Sequence, residues 1–190
     1  GIECADARRS PHPLTPSAPP IDAPPGSHAA LRAIGWPLET TDRTQADQDW
    51  APVLAAHPQA RPARVSEQHR SGYVVAEGPD HALAAEAMPE WLRRRFPAQE
   101  RAGVGDWVLI EGGEGETADG AAARAQIVAL LPRRSVIKRA AAGEHYHQQI
   151  IAANVDTVFV VCGLDSDFNP RRIERYLLLV RGGGAEPVVV

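Results

Sequence analysis

Hydrophobic and polar positions keep different rhythms in successive parts of the chain. Residues 1 to about 30 have none: Pro11, Pro13, Pro16, Pro19, Pro20, Pro24 and Pro25 stand among Ala and Ser. Proline at that density forbids a helix and weakens any strand, so a disordered tail is predicted. Residues 31–62 form a lead-in in which Leu31, Ile34 and Trp36 make a small apolar patch and Asp49–Leu54 predicts one short helix packed against the next domain. From 63 to 132 the pattern changes to short strands divided by turn residues, alternating weakly over Ala63–Gln68, and strands are predicted over Ala63–Gln68, Tyr73–Ala76, His81–Ala87, Gly105–Glu111 and Ala125–Leu131. A short helix is predicted over Pro89–Phe96, between the third and fourth strands, and a flexible acidic hairpin loop over Gly112–Gly120. Five short strands with a helix in that place predict an OB-fold five-stranded β-barrel.

The last third changes character again. Residues 133–147 read as a basic linker, and 148–190 as the start of an α/β domain. Val155–Cys162 is an apolar, β-branched run broken only by Asp156 and Thr157, which predicts a strand buried on both faces. A loop over 163–168 leads to Asn169-Pro170, an N-cap followed by proline at the first helical position. Ile173, Tyr176, Leu177 and Val180 keep helical spacing, and Gly182-Gly183-Gly184 ends the helix before a second strand at Pro187–Val190. Strand, helix and strand make one βαβ unit with parallel strands. Such a unit has little sheet of its own, so Val158, Val160, Val188 and Val190 are expected to expose apolar surface, and the unit to be less stable than the barrel.

This segment also carries a family resemblance. Gln149-Ile150-Ile151-Ala152-Ala153-Asn154-Val155-Asp156, Arg171-Arg172-Ile173-Glu174-Arg175-Tyr176-Leu177 and Glu186-Pro187-Val188-Val189-Val190 closely resemble the circularly permuted ribosome-biogenesis GTPases of the RsgA (YjeQ) family. The resemblance extends more loosely back to about Leu31 and implies an OB domain where the strand pattern predicts one. In that family the guanine-reading Asn-Lys-x-Asp motif, the P-loop and a zinc-binding C-terminal domain come later than the second of these strands. The resemblance therefore implies the front portion of a GTPase domain, with GTP and Mg²⁺ bound, and structural zinc held, by parts of the family's protein not represented here. It further implies a cytoplasmic protein that binds the small ribosomal subunit and its rRNA in late maturation. The alternative is a truncated, non-catalytic OB-fold module that binds RNA.

Charge and composition narrow the chemistry. A net charge of −4 argues against uniform coating of nucleic acid but leaves room for a local basic patch. Cys4 and Cys162 are far apart, which suits a reduced setting better than a disulfide framework. No apolar run reaches membrane-spanning length, and the start lacks a charged segment followed by an apolar one, so no membrane association is expected, and a monomer is.

The densest positive stretch is Arg133, Arg134, Lys138 and Arg139, at the exit of the barrel. OB-folds bind single-stranded nucleic acid with cations and aromatics near one face, so these four and Arg70, in the turn Gln68–Tyr73, are the candidate RNA contacts. Tyr73 either stacks on a base or fills the barrel. No catalytic or nucleotide-binding residue is assigned. Gly112-Gly113-Glu114-Gly115-Glu116 lacks the lysine and hydroxyl of a P-loop, and Gly182–Gly184 comes after a helix rather than a strand. His145 and His147 beside Glu144 lack the further ligands of a tetrahedral metal site, and Asp165 and Asp167 suit capping or exposure better than catalysis.

Overall fold

A computed structural model describes residues 24–37, 45–115, 117, 120–140, 148–163 and 168–190. The tail expected over 1–30 lies outside the described residues as far as 23, as do Cys4, His145, His147, Asp165 and Asp167. By His28 the chain is already helical: α1 runs His28–Ala33, capped by Ser27, whose hydroxyl accepts from the Ala30 amide. The lead-in holds a second helix, α2 (Gln45–Ala56), longer than the one predicted.

Strands β1 (Arg61–His69), β2 (Gly72–Gly78), β3 (His81–Glu86), β4 (Trp107–Gly112) and β5 (Ala125–Leu130) close into a barrel in the order β1-β2-β3-β5-β4. β4 returns to pair with β1, and β3 meets β5 in parallel through Ala85 and Glu86. This is the predicted OB architecture. Irregularities at Val65/Glu67, Ala76/Gly78 and Leu109/Ile110 supply the bends that closure requires. Between β3 and β4 the expected helix is only a 3₁₀ turn at Pro89–Leu92, with a second at Ala98–Glu100. Arg93 is extended, and Pro97 biases Phe96 away from helical dihedrals, so the turn cannot propagate.

β4 shows why this barrel has two cores. Its residues Trp107, Val108, Leu109 and Ile110 are all buried, although alternate residues of a strand face opposite ways. Val108 and Ile110 point inward with Val65, Val75 and Ile127. Trp107 and Leu109 point outward, where Leu31, Trp36 and Trp50 of the lead-in cover them together with Leu131. Trp36 meets Trp107 edge-on, ring centroids 4.7 Å apart, and the Trp50 indole N–H donates to the Pro132 carbonyl at 2.7 Å. Large side chains removed from water in this way contribute about 1.5–3 kcal/mol each, so the lead-in is part of the barrel's stability.

The segment read as a basic linker contains a strand. β6 (Val136–Ala140) pairs antiparallel with β7 (Gln148–Ala153); residues 141–147 between them lie outside the described residues. β-branched Val136 and Ile137, facing the run Gln148–Ala153, favour pairing over a solvated connector. Beyond the hairpin comes the βαβ unit, as predicted: β8 (Thr157–Val160), α3 (Pro170–Gly182) and β9 (Glu186–Val189), the two strands parallel. The Asn169 carboxamide oxygen accepts from the Arg172 amide, Pro170 opens the helix, and Gly184 takes the left-handed turn (φ 85°) after it. β8 is not buried on both faces. α3 covers one side, where Val180 packs with Ile137, Val158 and Ala185, while Phe159 is 66% exposed and Val161 79%. Of the four valines expected to expose apolar surface, Val188 and Val190 do, Val158 is half-buried, and Val160 is buried.

Candidate nucleic-acid interface

The turn between β1 and β2 is built for closeness. A Cβ on Gly72 would lie 2.7 Å from the Ala85 carbonyl oxygen, so only glycine lets the hairpin fold onto β3. Arg70 stands exposed at the tip. Beneath it lies a cleft of about 460 Å³ lined by Arg70, Gln68, Tyr73, Trp91, Leu92 and Arg101, among others. Tyr73 is buried, with its ring edge-on to Trp91 at 5.9 Å, so it fills the barrel rather than offering a free stacking face. Burial pushes its phenol up, and Gln68 and Arg101 partly oppose that shift.

Arg101 is a cation that the sequence pattern does not single out. Its Nη2 donates to the Phe96 carbonyl, while its Nε is buried with no hydrogen-bond partner among the described residues. Isolated in the stretch Glu100-Arg101-Ala102, it carries no local signal; only the closed barrel brings it beside Arg70.

Arg133 has a different job from the RNA contact expected of it in the basic stretch. Its guanidinium makes bonds of 2.8–3.1 Å to both oxygens of Asp106. It also donates to the carbonyls of Gln99 and Arg101. Asp106 is wholly buried and accepts the Gly103 amide as well. An arginine used from three sides to neutralise a buried carboxylate is a structural tie, and its charge is spent inside the protein. Arg134 is exposed, and its backbone amide donates to the Asn154 side chain. Lys138 and Arg139 lie on β6, Arg139 donating to Gln149 at 3.1 Å. Cations therefore stand at two places, Arg70 with Arg101 at the cleft and Arg134, Lys138 and Arg139 on the hairpin, and the connection between them runs through the Arg133 tie. The acidic loop is partly compensated, since Glu114 pairs with Arg61 at 3.0 Å. Arg61 also binds the buried Glu77, a bond that raises its already high pKa further.

An OB-type barrel, a β-hairpin and a βαβ unit follow one another in this order along the chain. Residues 130–190, the hairpin and βαβ unit, match the family model described as RsgA GTPase. The chain is 63% identical over 169 residues to the "Small ribosomal subunit biogenesis GTPase RsgA" of Xanthomonas campestris pv. campestris (strain B100), covering 89% of this chain and 42% of that protein. The protein of the same name from Xanthomonas euvesicatoria pv. vesicatoria (strain 85-10) is 62% identical over the same shares. The resemblance to the RsgA family is thereby shown, for the portion of such a protein that the chain spans: about two fifths of the length of the curated relatives it matches. Among solved structures it is similar to the circularly permuted GTPase YloQ, with a TM-score of 0.47 and 16% identity, over 70% of this chain and 40% of that one. Among the described residues no helix is long and apolar enough to cross a membrane.

Proposed function

We propose that this chain is part of a cytoplasmic, monomeric GTPase that acts in late maturation of the small ribosomal subunit, and that its barrel and hairpin touch ribosomal RNA. The observation that carries the first half is 63% identity over 89% of the chain to proteins named for that activity. For the second half it is the pair of cationic sites, Arg70 with Arg101 and Arg134 with Lys138 and Arg139, on a barrel type that binds single strands. Arg70, Arg134, Lys138 and Arg139 would neutralise phosphates and position the RNA without reading its sequence.

No step of GTP hydrolysis falls to a residue of this chain. Phosphoryl transfer needs a phosphate cradle, a lysine and a metal ligand, and no P-loop sequence stands in these 190 residues. GTP and Mg²⁺, and a structural zinc, belong in this reading to the rest of the family's protein. The domain boundaries are a lead-in over 31–62 and a barrel over 63–132, then 133–147 and the nucleotide-binding part from 148.

Titration of small ribosomal subunits and of a single-stranded RNA across salt concentrations tests the RNA contact. Four phosphate contacts, by Arg70, Arg134, Lys138 and Arg139, give a slope of log K on log salt of about −3, at about −0.7 per contact. Replacing Arg134, Lys138 and Arg139 by Ala, with Arg133 kept, flattens it by about 2. An unchanged slope and affinity would make the hairpin cations a solvated surface. Calorimetry of this chain with GTP and Mg²⁺ is expected to be flat, and micromolar binding would overturn the placement of the nucleotide site.

A further inference from the structure

Arg64 joins three distant parts of the chain. It sits on β1, half-buried, with its guanidinium 5.6 Å from the centre of the Trp107 ring. From there it donates to the carbonyls of Ile34 after α1, Gly105 before β4, and Asn154 between β7 and β8. Burial pulls its pKa below the usual arginine value, and Asp156 opposes that. The three acceptors are uncharged main-chain oxygens, so what the arginine contributes is its rigid planar fork rather than an ion pair.

Asn154 answers it from the other side with all of its polar groups. Its carbonyl takes the Arg64 bond at 2.9 Å, and its side-chain amide donates to the same Gly105 carbonyl at 3.1 Å. Its side-chain oxygen accepts the Arg134 amide at 2.9 Å, and its own amide donates to the Ser135 carbonyl. Asn154 has a positive φ of 53°, the only such non-glycine among the described residues, and Asn tolerates that conformation better than most residues. Beside it the Ala153 amide donates to the Val104 carbonyl, and Gly105 admits no Cβ, which would collide with the Ala153 carbonyl oxygen.

We infer that Arg64 and Asn154 form a latch that holds the β6–β7 hairpin and the βαβ unit against the barrel in one orientation. The bonds span the boundary between the two folded parts. Two of them converge on one carbonyl, that of Gly105, which takes a bond from the barrel's Arg64 and another from the Asn154 side chain. Only Val155 and Asp156 separate Asn154 from β8, whose register with β9 fixes the unit. Arg64 and Asn154 are thus positioning residues: they set where the hairpin cations and the nucleotide-binding strands stand relative to the barrel. The latch is independent of whether the barrel binds RNA.

The test uses the full chain. Hydrogen exchange is measured for the Ala153, Asn154 and Val155 amides and for the β1–β2 ladder, in Arg64→Met and in Asn154→Gly, which keeps the positive φ. Loss of the guanidinium bonds in Arg64→Met, or of the two Asn154 side-chain bonds in Asn154→Gly, is expected to speed exchange at 153–155 about ten-fold or more and to leave the β1–β2 ladder within about two-fold. The orientation is read by spin-label distance between Asp80→Cys and Glu174→Cys in a Cys4→Ser, Cys162→Ser background. A single narrow distance is expected with the latch intact, a broadened or displaced one in either latch variant, and an intermediate one in Arg64→Lys. Equal acceleration in the barrel ladder, or an unchanged distance distribution in both variants, overturns the latch and leaves Arg64 as a support of the barrel alone.

Discussion

β4 and β8 are both short apolar strands, yet one is buried throughout and the other is not. Trp107, Val108, Leu109 and Ile110 of β4 are enclosed, whereas Phe159 of β8 is 66% exposed. Composition does not separate them. What does is the number of layers available. β4 belongs to a sheet closed on itself, so its inner face is filled by the barrel, and its outer face is covered by Trp36 and Trp50 from the lead-in. β8 pairs with β9 alone, and α3 covers one face of the two. A parallel strand pattern anticipates covering on both sides, and among the described residues of this chain only one cover is present.

The largest expected effect tests how the barrel is tied. Arg133→Ala leaves Asp106, which has no exposure, as an unpaired buried charge, and is expected to cost about 3–5 kcal/mol in urea unfolding monitored by tryptophan fluorescence. A cost below about 1 kcal/mol would return Arg133 to the surface cations. Next comes the outer core. Leu109→Ala is expected to cost about 2–5 kcal/mol, because the site is closed on both sides and cannot collapse. Equal stability in a chain that begins at residue 57 would show that the lead-in does not cover β4.

A smaller effect is set by pH. The folded state raises the pKa of Tyr73, so the neutral phenol is the form the barrel favours. Its contribution is whole below the unfolded value of about 10 and is lost as pH rises through the higher folded value. Wild type should therefore lose stability above about pH 10 more steeply than Tyr73→Phe, in parallel denaturant titrations. The smallest effect belongs to the open strand. Phe159→Ser should change stability by no more than about 0.5 kcal/mol, since an exposed side chain has little burial to lose. A loss above about 2 kcal/mol would mean that this face is covered in solution.

Local rhythm carries much of this fold. The short apolar runs Tyr73–Ala76 and Trp107–Ile110, the Asn169-Pro170 helix start and the Gly-rich helix end each rest on neighbours a few residues apart, and each is legible. β6 is not, because Arg133, Arg134, Lys138 and Arg139 disguise Val136 and Ile137 as part of a charged connector. The 3₁₀ turn reads as a longer helix because apolar residues continue from Trp91 and Leu92 to Phe96, past Arg93, where the backbone is already extended. Of the candidate contacts, Arg70, Arg134 and Arg139 stand exposed, whereas Arg133 turns inward for a reason visible only in three dimensions.

By itself the sequence determined the class of most segments, the β6 strand and the 3₁₀ turn apart, since strand, helix and turn preferences act over a few residues. It also determined the family resemblance, through identities in order. Tertiary structure alone decided which charges are spent inside. Asp106 and Arg133 are 27 positions apart, and Arg64 and Asn154 are 90. No local period encodes such a meeting. It arises from barrel closure, which sets the turn before β4 against the hairpin and leaves buried polar groups to find partners there, because an unpaired one would take a large share of a domain's small net stability.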